Sequence, residues 1–450
     1  MQRNDYTVPI IRYLVRNGNS ITDTMVGKDG PKRSYSLEHV LTEKHIAHVV
    51  REVTHHAGDY KVICSEMKPA ASGLTGFLGD HIRAVLHVRV KDEIVKVNLF
   101  VKRVPMENKP KADFIDENNY FKREMLMLRL LDEFKGADGP NPWCAKAYVY
   151  TDSLIVMPDL AVVGYSEHPL METLDYRHVM LTVASLARFH AGFANYETNR
   201  TLASIKSYNF YEEYKHLLTE PTFTDTPWVR TAAKLTADIL DAFSLKYSKD
   251  LVPGLEVKLA KSYVDACSSL DVMEDTLNVM LHKDLWNNNI LFKYEEGVPT
   301  NAILIDYQCV RYGPPAFDLM SFLYLTTSRT FREDHESQVL KYYFEVFSGS
   351  LEDMTKKRLK MIGYDEKEFL SWCEKSRMFG IFEAVAIFPQ VLMDAKTAER
   401  VFDDPETFMT IVEQDRSGPV VEYAGQFPVY RERQLEVSEE YVERFVVNQP

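Results

Sequence analysis

The chain has 450 residues, 45% of them hydrophobic and 26% charged, with a formal net charge of −13. This is a globular composition with chain enough for one large domain or two lobes, and its negative field excludes a nucleic acid or an anionic membrane surface as the main partner. Five scattered cysteines without a C-x-x-C pair argue for reduced thiols rather than a zinc or redox centre. The N-terminal MQRNDYTVPIIRYLVRN has charges where a signal peptide would have an apolar core, and no apolar run reaches about 18 residues, so a soluble, cytoplasmic protein with no membrane partner is expected.

The first clear element is LTEKHIAHVVREV, where Ile46, Val49, Val50 and Val53 fall on one helical stripe and Thr42 is available as N-cap. Its His45, and His55 and His56 after it, are expected to be solvated. From Lys61 the period changes to two: KVICSEMKPA, HIRAVLHVRV and IVKVNLFVKRVP read as three strands, with glycine-rich SGLTGFLGD between the first two and KDE as a hairpin turn. Gly73, Gly76 and Gly79 precede a strand, not a helix, which argues against a Rossmann or Walker loop. That context supports a loop over nucleotide phosphates, with the three glycines as cofactor-binding positions.

In the third strand Val95, Val97, Leu99 and Val101 share one face, so Lys102 points to the other. FKREMLMLRLLDEF is helical, and Glu124 lies on its inward side with Phe121, Met125 and Leu128. A buried carboxylate is costly unless paired, and Lys102 is the candidate partner. The apolar strand Leu154 to Met157 then ends at Pro158, and Asp159 and Leu160 begin a linker expected to contact the cofactor. These patterns divide the chain into a nucleotide-binding lobe over residues 40–159 and a mainly helical lobe over residues 160–450. In LARFHAGFAN, His190 shares a stripe with Val183, Ala187 and Ala194, as a hydrogen-bonded core histidine would.

LHKDLWNNNILF, residues 281–292, interrupts an apolar segment with a histidine, a lysine, an aspartate and three asparagines. A strand from Ile290, a turn at Gly297 and a return strand from Ala302 would bring Asp306 back beside this loop. His282, Asp284, Asn289 and Asp306 then converge, and the carboxylates and carboxamide suit a hard cation such as Mg²⁺. Phosphoryl transfer needs this inventory: Asp284 to take the acceptor hydroxyl's proton, Asn289 and Asp306 for the metal, Lys102 for the phosphates. A polar turn that merely satisfies backbone groups is the bland alternative.

LHKDLWNNNILF, IDYQCVRYGPPAFDLMSFL, LFVKRVP, FKRE, LIVMPDLAVVGY and LARFHA together resemble the ecdysteroid kinase-like family, itself similar to choline kinases and aminoglycoside phosphotransferases, over roughly residues 40–420. The resemblance implies an α+β, bilobal, protein-kinase-like fold, with a small antiparallel-sheet N-lobe and a larger helical C-lobe, and transfer of phosphate from ATP with Mg²⁺ to a small-molecule alcohol. It also implies that Asp284 is the base, Asn289 and Asp306 the metal ligands, Lys102 the phosphate lysine and Glu124 its helix partner. His282 resembles a loop-orienting residue, and Asp318 a buried carboxylate bracing the loop.

The sequence departs from related phosphotransferases at Lys283, where a glycine is frequent; this cation would touch phosphate or solvent. Tyr307 and Gln308 replace Phe-Gly after Asp306, and only seven residues separate Asp306 from Pro314, which disfavours a polypeptide substrate. The alternatives are a nucleotide-binding pseudokinase or hydrophobic-ligand carrier, and a metal hydrolase, which would need further histidines at ligand spacing. Residues 200–270 and 370–420, with the apolar RMFGIFEAVAIFPQVLM, are expected to wall an apolar acceptor such as an ecdysteroid or hydroxylated xenobiotic.

Overall fold

The computed structural model describes residues 36–447 except 57, 71–78, 107–108, 135–138, 140, 221–222, 271–272, 274, 395–396, 398–400, 402–409 and 411–413. The fold is α+β, with an antiparallel sheet at one end and a larger helical body. Helix α1 (Glu43–Thr54) starts where Thr42 accepts the His45 amide, and His45 Nδ1 accepts the Thr42 amide in return. His45 therefore caps the helix and is only half-exposed, contrary to the solvated reading.

Strands β1 (Tyr60–Pro69), β2 (Asp80–Val90), β3 (Glu93–Arg103), β4 (Val149–Tyr150) and β5 (Leu154–Pro158) form one sheet in the order β1-β2-β3-β5-β4. Ile82, Ala84, Leu86 and Val88 alternate inward from β2, as do Val97, Leu99 and Val101 from β3, and they bury Ile46, Val49 and Val50 of α1 between them. Each such aliphatic side chain contributes roughly 1.5–3 kcal/mol by leaving water. The register places His81 opposite Lys102 and Asp80 opposite Arg103.

The other face of β3 is covered too. Helix α2 (Tyr120–Glu133) buries Phe121, Glu124, Leu128 and Leu131 and shares the core of the helical body rather than that of the sheet. Arg123, from the same helix, donates to the carbonyls of Leu217, at 2.5 Å, and Thr219, at 3.1 Å. The helix is thus fixed to the helical body, and Glu124 ties it to Lys102 of β3.

The helical body contains α3 (Tyr176–Leu202), capped by Asp175, and the mutually packed α4 (Pro227–Phe243) and α5 (Leu255–Ser268). Strands β6 (Tyr165–Glu167), β8 (Ile290–Glu295) and β9 (Val298–Leu304) make a small sheet, and β7 (Val279–Leu281) pairs with β10 (Arg311–Gly313). Strand β9 begins at Val298, four residues before the expected Ala302, and its hairpin turns through left-handed Glu296 and Gly297. Helices α6 (Ala316–Thr326), α7 (Arg329–Ser350) and α8 (Glu366–Val391) complete the core, and α9 (Ser417–Gln426) and α10 (Pro428–Val442) close the chain. Helix α6 is buried along its whole length. Among the described residues no helix is long and apolar enough to cross a membrane.

Candidate active site

Two strand pairs present the polar loop. Strand β7 delivers His282, β8 takes the chain away after Asn289, and β9 returns it to Asp306. The loop is tied across its base: the Ile305 amide donates to the Asn289 carbonyl at 3.1 Å, and His282 Nε2 lies 2.9 Å from the Ile305 carbonyl. A carbonyl only accepts, so Nε2 carries the proton and Nδ1, which has no partner, is the bare nitrogen. Burial pushes the His282 imidazole below its ordinary value.

Asp318 holds the loop from beneath. Its carboxylate accepts the His282 amide at 2.6 Å and the Lys283 amide at 2.9 Å, and His190 Nε2 donates to it at 3.1 Å. Burial works against the charge, but His190 and the loop amides outweigh it, and Asp318 stays below the ordinary carboxylate range. His190 is in turn fixed by the Tyr343 hydroxyl at 2.6 Å. It is a hydrogen-bonded core histidine, as expected, yet one whose partner braces the polar loop. The missed signal is that His190 and Asp318 are each a lone titratable group on an otherwise apolar helix stripe, and such groups need one another.

Asn289 donates through Nδ2 to the Asp284 carbonyl at 2.6 Å and to Asp284 Oδ2 at 3.0 Å. Donation fixes the amide so that its oxygen is the atom left for a cation. Asp306 stands at a left-handed backbone position, φ 66°. Its Oδ1 lies 3.0 Å from Lys102 Nζ, which also meets Glu124 Oε2 at 2.5 Å and Gln308 Oε1 at 3.2 Å. Burial disfavours the ammonium, but Asp306 and Glu124 hold Lys102 above its ordinary value, while burial leaves Glu124 raised in spite of Lys102. Lys102, 4% exposed, is therefore not on a solvated face. Gln308 is the ammonium partner that sequence reasoning missed.

Of the three glycines between β1 and β2, Gly73 and Gly76 lie outside the described residues. A Cβ on Gly79 would sit 3.1 Å from the Arg103 carbonyl oxygen and 3.3 Å from Lys102 Cγ, so this glycine lets the chain pass close over the lysine. Asp159 accepts the Ala161 amide at 3.1 Å and pairs with Arg83 at 3.2 Å, and Leu160 packs beside Ala145, Tyr165 and Ile303. Of the two expectations for Lys283, phosphate or solvent, the solvent one fails: its ammonium is buried 2.9 Å from Glu383 Oε1. The apolar stretch of α8 from Phe379 to Val391 is buried core, and part of the expected wall, 221–222, 395–396, 398–400, 402–409 and 411–413, lies outside the described residues.

The sequence model of the ecdysteroid kinase-like family matches residues 74–356, more than half of the chain. No curated protein matches. Among solved structures, a choline kinase from Streptococcus pneumoniae is similar at 14% identity and a TM-score of 0.35, covering 86% of this chain and 99% of its own. An aminoglycoside 2'-phosphotransferase in complex with GDP is similar at 11% identity and a TM-score of 0.34, covering 91% and 100%. A microcompartment-associated aminopropanol kinase is similar at 14% identity and a TM-score of 0.30, covering 80% and 98%.

Proposed function

This chain belongs to the ecdysteroid kinase-like family, and from that premise we propose that it transfers the terminal phosphate of ATP, with Mg²⁺, to a hydroxyl of a small apolar molecule such as an ecdysteroid or a hydroxylated xenobiotic. The observation that carries the proposal is the convergence of Lys102, Glu124 and Asp306 on one buried ammonium, beside a loop that presents Asp284 and Asn289 together.

In this reading Asp284 accepts the proton of the attacking hydroxyl. Asn289 donates to it, which holds the carboxylate still and keeps it the stronger acceptor at its other oxygen. Lys102 contacts the phosphates, and Glu124 keeps it there. The ammonium has three N–H bonds and three acceptors, so a phosphate oxygen must displace one of them. Asp306, with its side chain 13% exposed against 3% for Glu124, is the one that can turn away.

The residues fit a magnesium ion. Asn289 and Asp306 offer hard oxygens, and among the described residues no group of three or more His, Cys, Asp and Glu side chains could hold a metal by itself. Mg²⁺ suits such a sparse site because it keeps water and substrate phosphates as ligands. Bound there, it would neutralise charge on the phosphate oxygens during transfer. The formal net charge of −13 supports a small molecule, rather than nucleic acid or membrane, as the partner.

The test is labelled ATP with the purified protein against a panel of small alcohols, ecdysone included. Transfer to at least one alcohol is expected, and Asp284→Asn should lower it by about 100- to 10,000-fold while Mg·ATP still binds. Absence of transfer to every alcohol would overturn the kinase reading. A fully active Asp284→Asn would remove Asp284 from the chemistry.

A further inference from the structure

Lys283 occupies a left-handed backbone position, φ 66°, between His282 and Asp284. A non-glycine residue there costs roughly 1–3 kcal/mol, so the side chain must return something that glycine would not. Its amide is held by Asp318 of α6, and its side chain runs to α8, where Nζ meets Glu383 Oε1 at 2.9 Å. The ammonium also lies 4.0 Å from the centre of the Phe223 ring and 4.8 Å from that of Phe379. Both ends of the ion pair are buried, with side chains 6% and 4% exposed.

The two helices involved cannot slide independently. A Cβ on Gly380, one turn before Glu383, would stand 2.9 Å from the Met320 carbonyl carbon, so α8 is pressed backbone to backbone on α6. Loop, α6 and α8 thus form a closed triangle: Asp318 binds loop to α6, Gly380 binds α6 to α8, and Lys283–Glu383 binds α8 back to the loop. Replacing a buried ion pair by apolar groups of similar volume is often neutral or stabilising, so folding does not by itself call for charge here.

Building on the phosphotransferase reading, we propose that the Lys283–Glu383 pair is a positioning strut, which holds the carboxylate of Asp284 at its working angle and makes that angle depend on helix α8. Lys283 is then a positioning residue, without contact to phosphate.

The deciding variant is the double change Lys283→Met with Glu383→Leu, which removes both charges and keeps volume. Its melting temperature should match wild type within a few degrees, and its Mg·ATP affinity by calorimetry should stay within about twofold. With the alcohol that wild type phosphorylates fastest, kcat should fall about 10- to 100-fold, the scale of a 1 Å misplacement. Wild-type kcat in this folded double variant would overturn the strut. Should it fail to fold, Glu383→Gln keeps the shape and removes the counter-charge; kcat should drop while the KM for ATP holds, and an unchanged kcat overturns the proposal equally. A wild-type protein that phosphorylates no alcohol instead removes the phosphotransferase reading, and the strut with it.

Discussion

Lys102 Nζ lies 3.0 Å from Asp306 Oδ1, although the two residues stand 204 positions apart in the chain. One ammonium thereby joins strand β3 of the sheet to the loop that follows β9 in the helical body, with Glu124 of α2 as its third corner. Removing one member of such a buried set leaves the others uncompensated.

Glu124→Gln should keep α2 packed but leave Lys102 less well held. It should lower kcat about 10- to 100-fold, roughly 1.4–2.7 kcal/mol of transition-state stabilisation, with a smaller rise in the KM for ATP. Lys102→Ala should be at least as damaging, and the double variant no worse than about the worse single one, because groups that act as a unit are non-additive. Multiplicative losses in this steady-state cycle would mean that the pair does not work as one.

Asp306→Ala separates metal from lysine. If Asp306 serves through a magnesium ion, nucleotide affinity measured by calorimetry should fall in Mg²⁺ and change little in EDTA, where Lys102 has one acceptor fewer and is free for phosphate. Equal losses in both buffers would instead indicate a damaged fold.

His282 sets a pH dependence of stability. Its folded imidazole titrates below the ordinary value because burial disfavours the cation, and a proton on Nδ1 would find no acceptor. As pH falls below about 6.5 the unfolded chain takes up a proton that the folded one refuses, so stability is lost on acidification. His282→Gln can still donate to the Ile305 carbonyl but does not titrate. Urea unfolding between neutral and mildly acidic pH should show a shallower loss for this variant, and parallel curves for the two proteins would discard the argument.

Local pattern was enough for the elements. Alternation of period two in β2 and β3, a helical stripe ending in a threonine cap at α1, and the Glu296-Gly297 turn are short-range consequences of backbone geometry, so they are legible wherever one face is buried. The pairing of Lys102 with Glu124 was legible for a related reason: strand parity puts Lys102 on the face opposite the apolar one, helical phase puts Glu124 inward, and a buried carboxylate needs a cation. The motif order along the chain also sufficed to indicate the family.

Tertiary structure decided the rest. Lys283 reads as a cation that touches phosphate or solvent because its partner Glu383 lies 100 residues away on α8, and no local rule links the two. His190 reads as a bland core histidine until α6 brings Asp318 against it, and only then does it belong to the loop. Lys102 lost its water because α2 and the Asp306 loop close over the second face of β3, a face that period two alone leaves open. A side chain's environment is set by whichever element folds over it, and for these three residues that element comes from elsewhere in the chain.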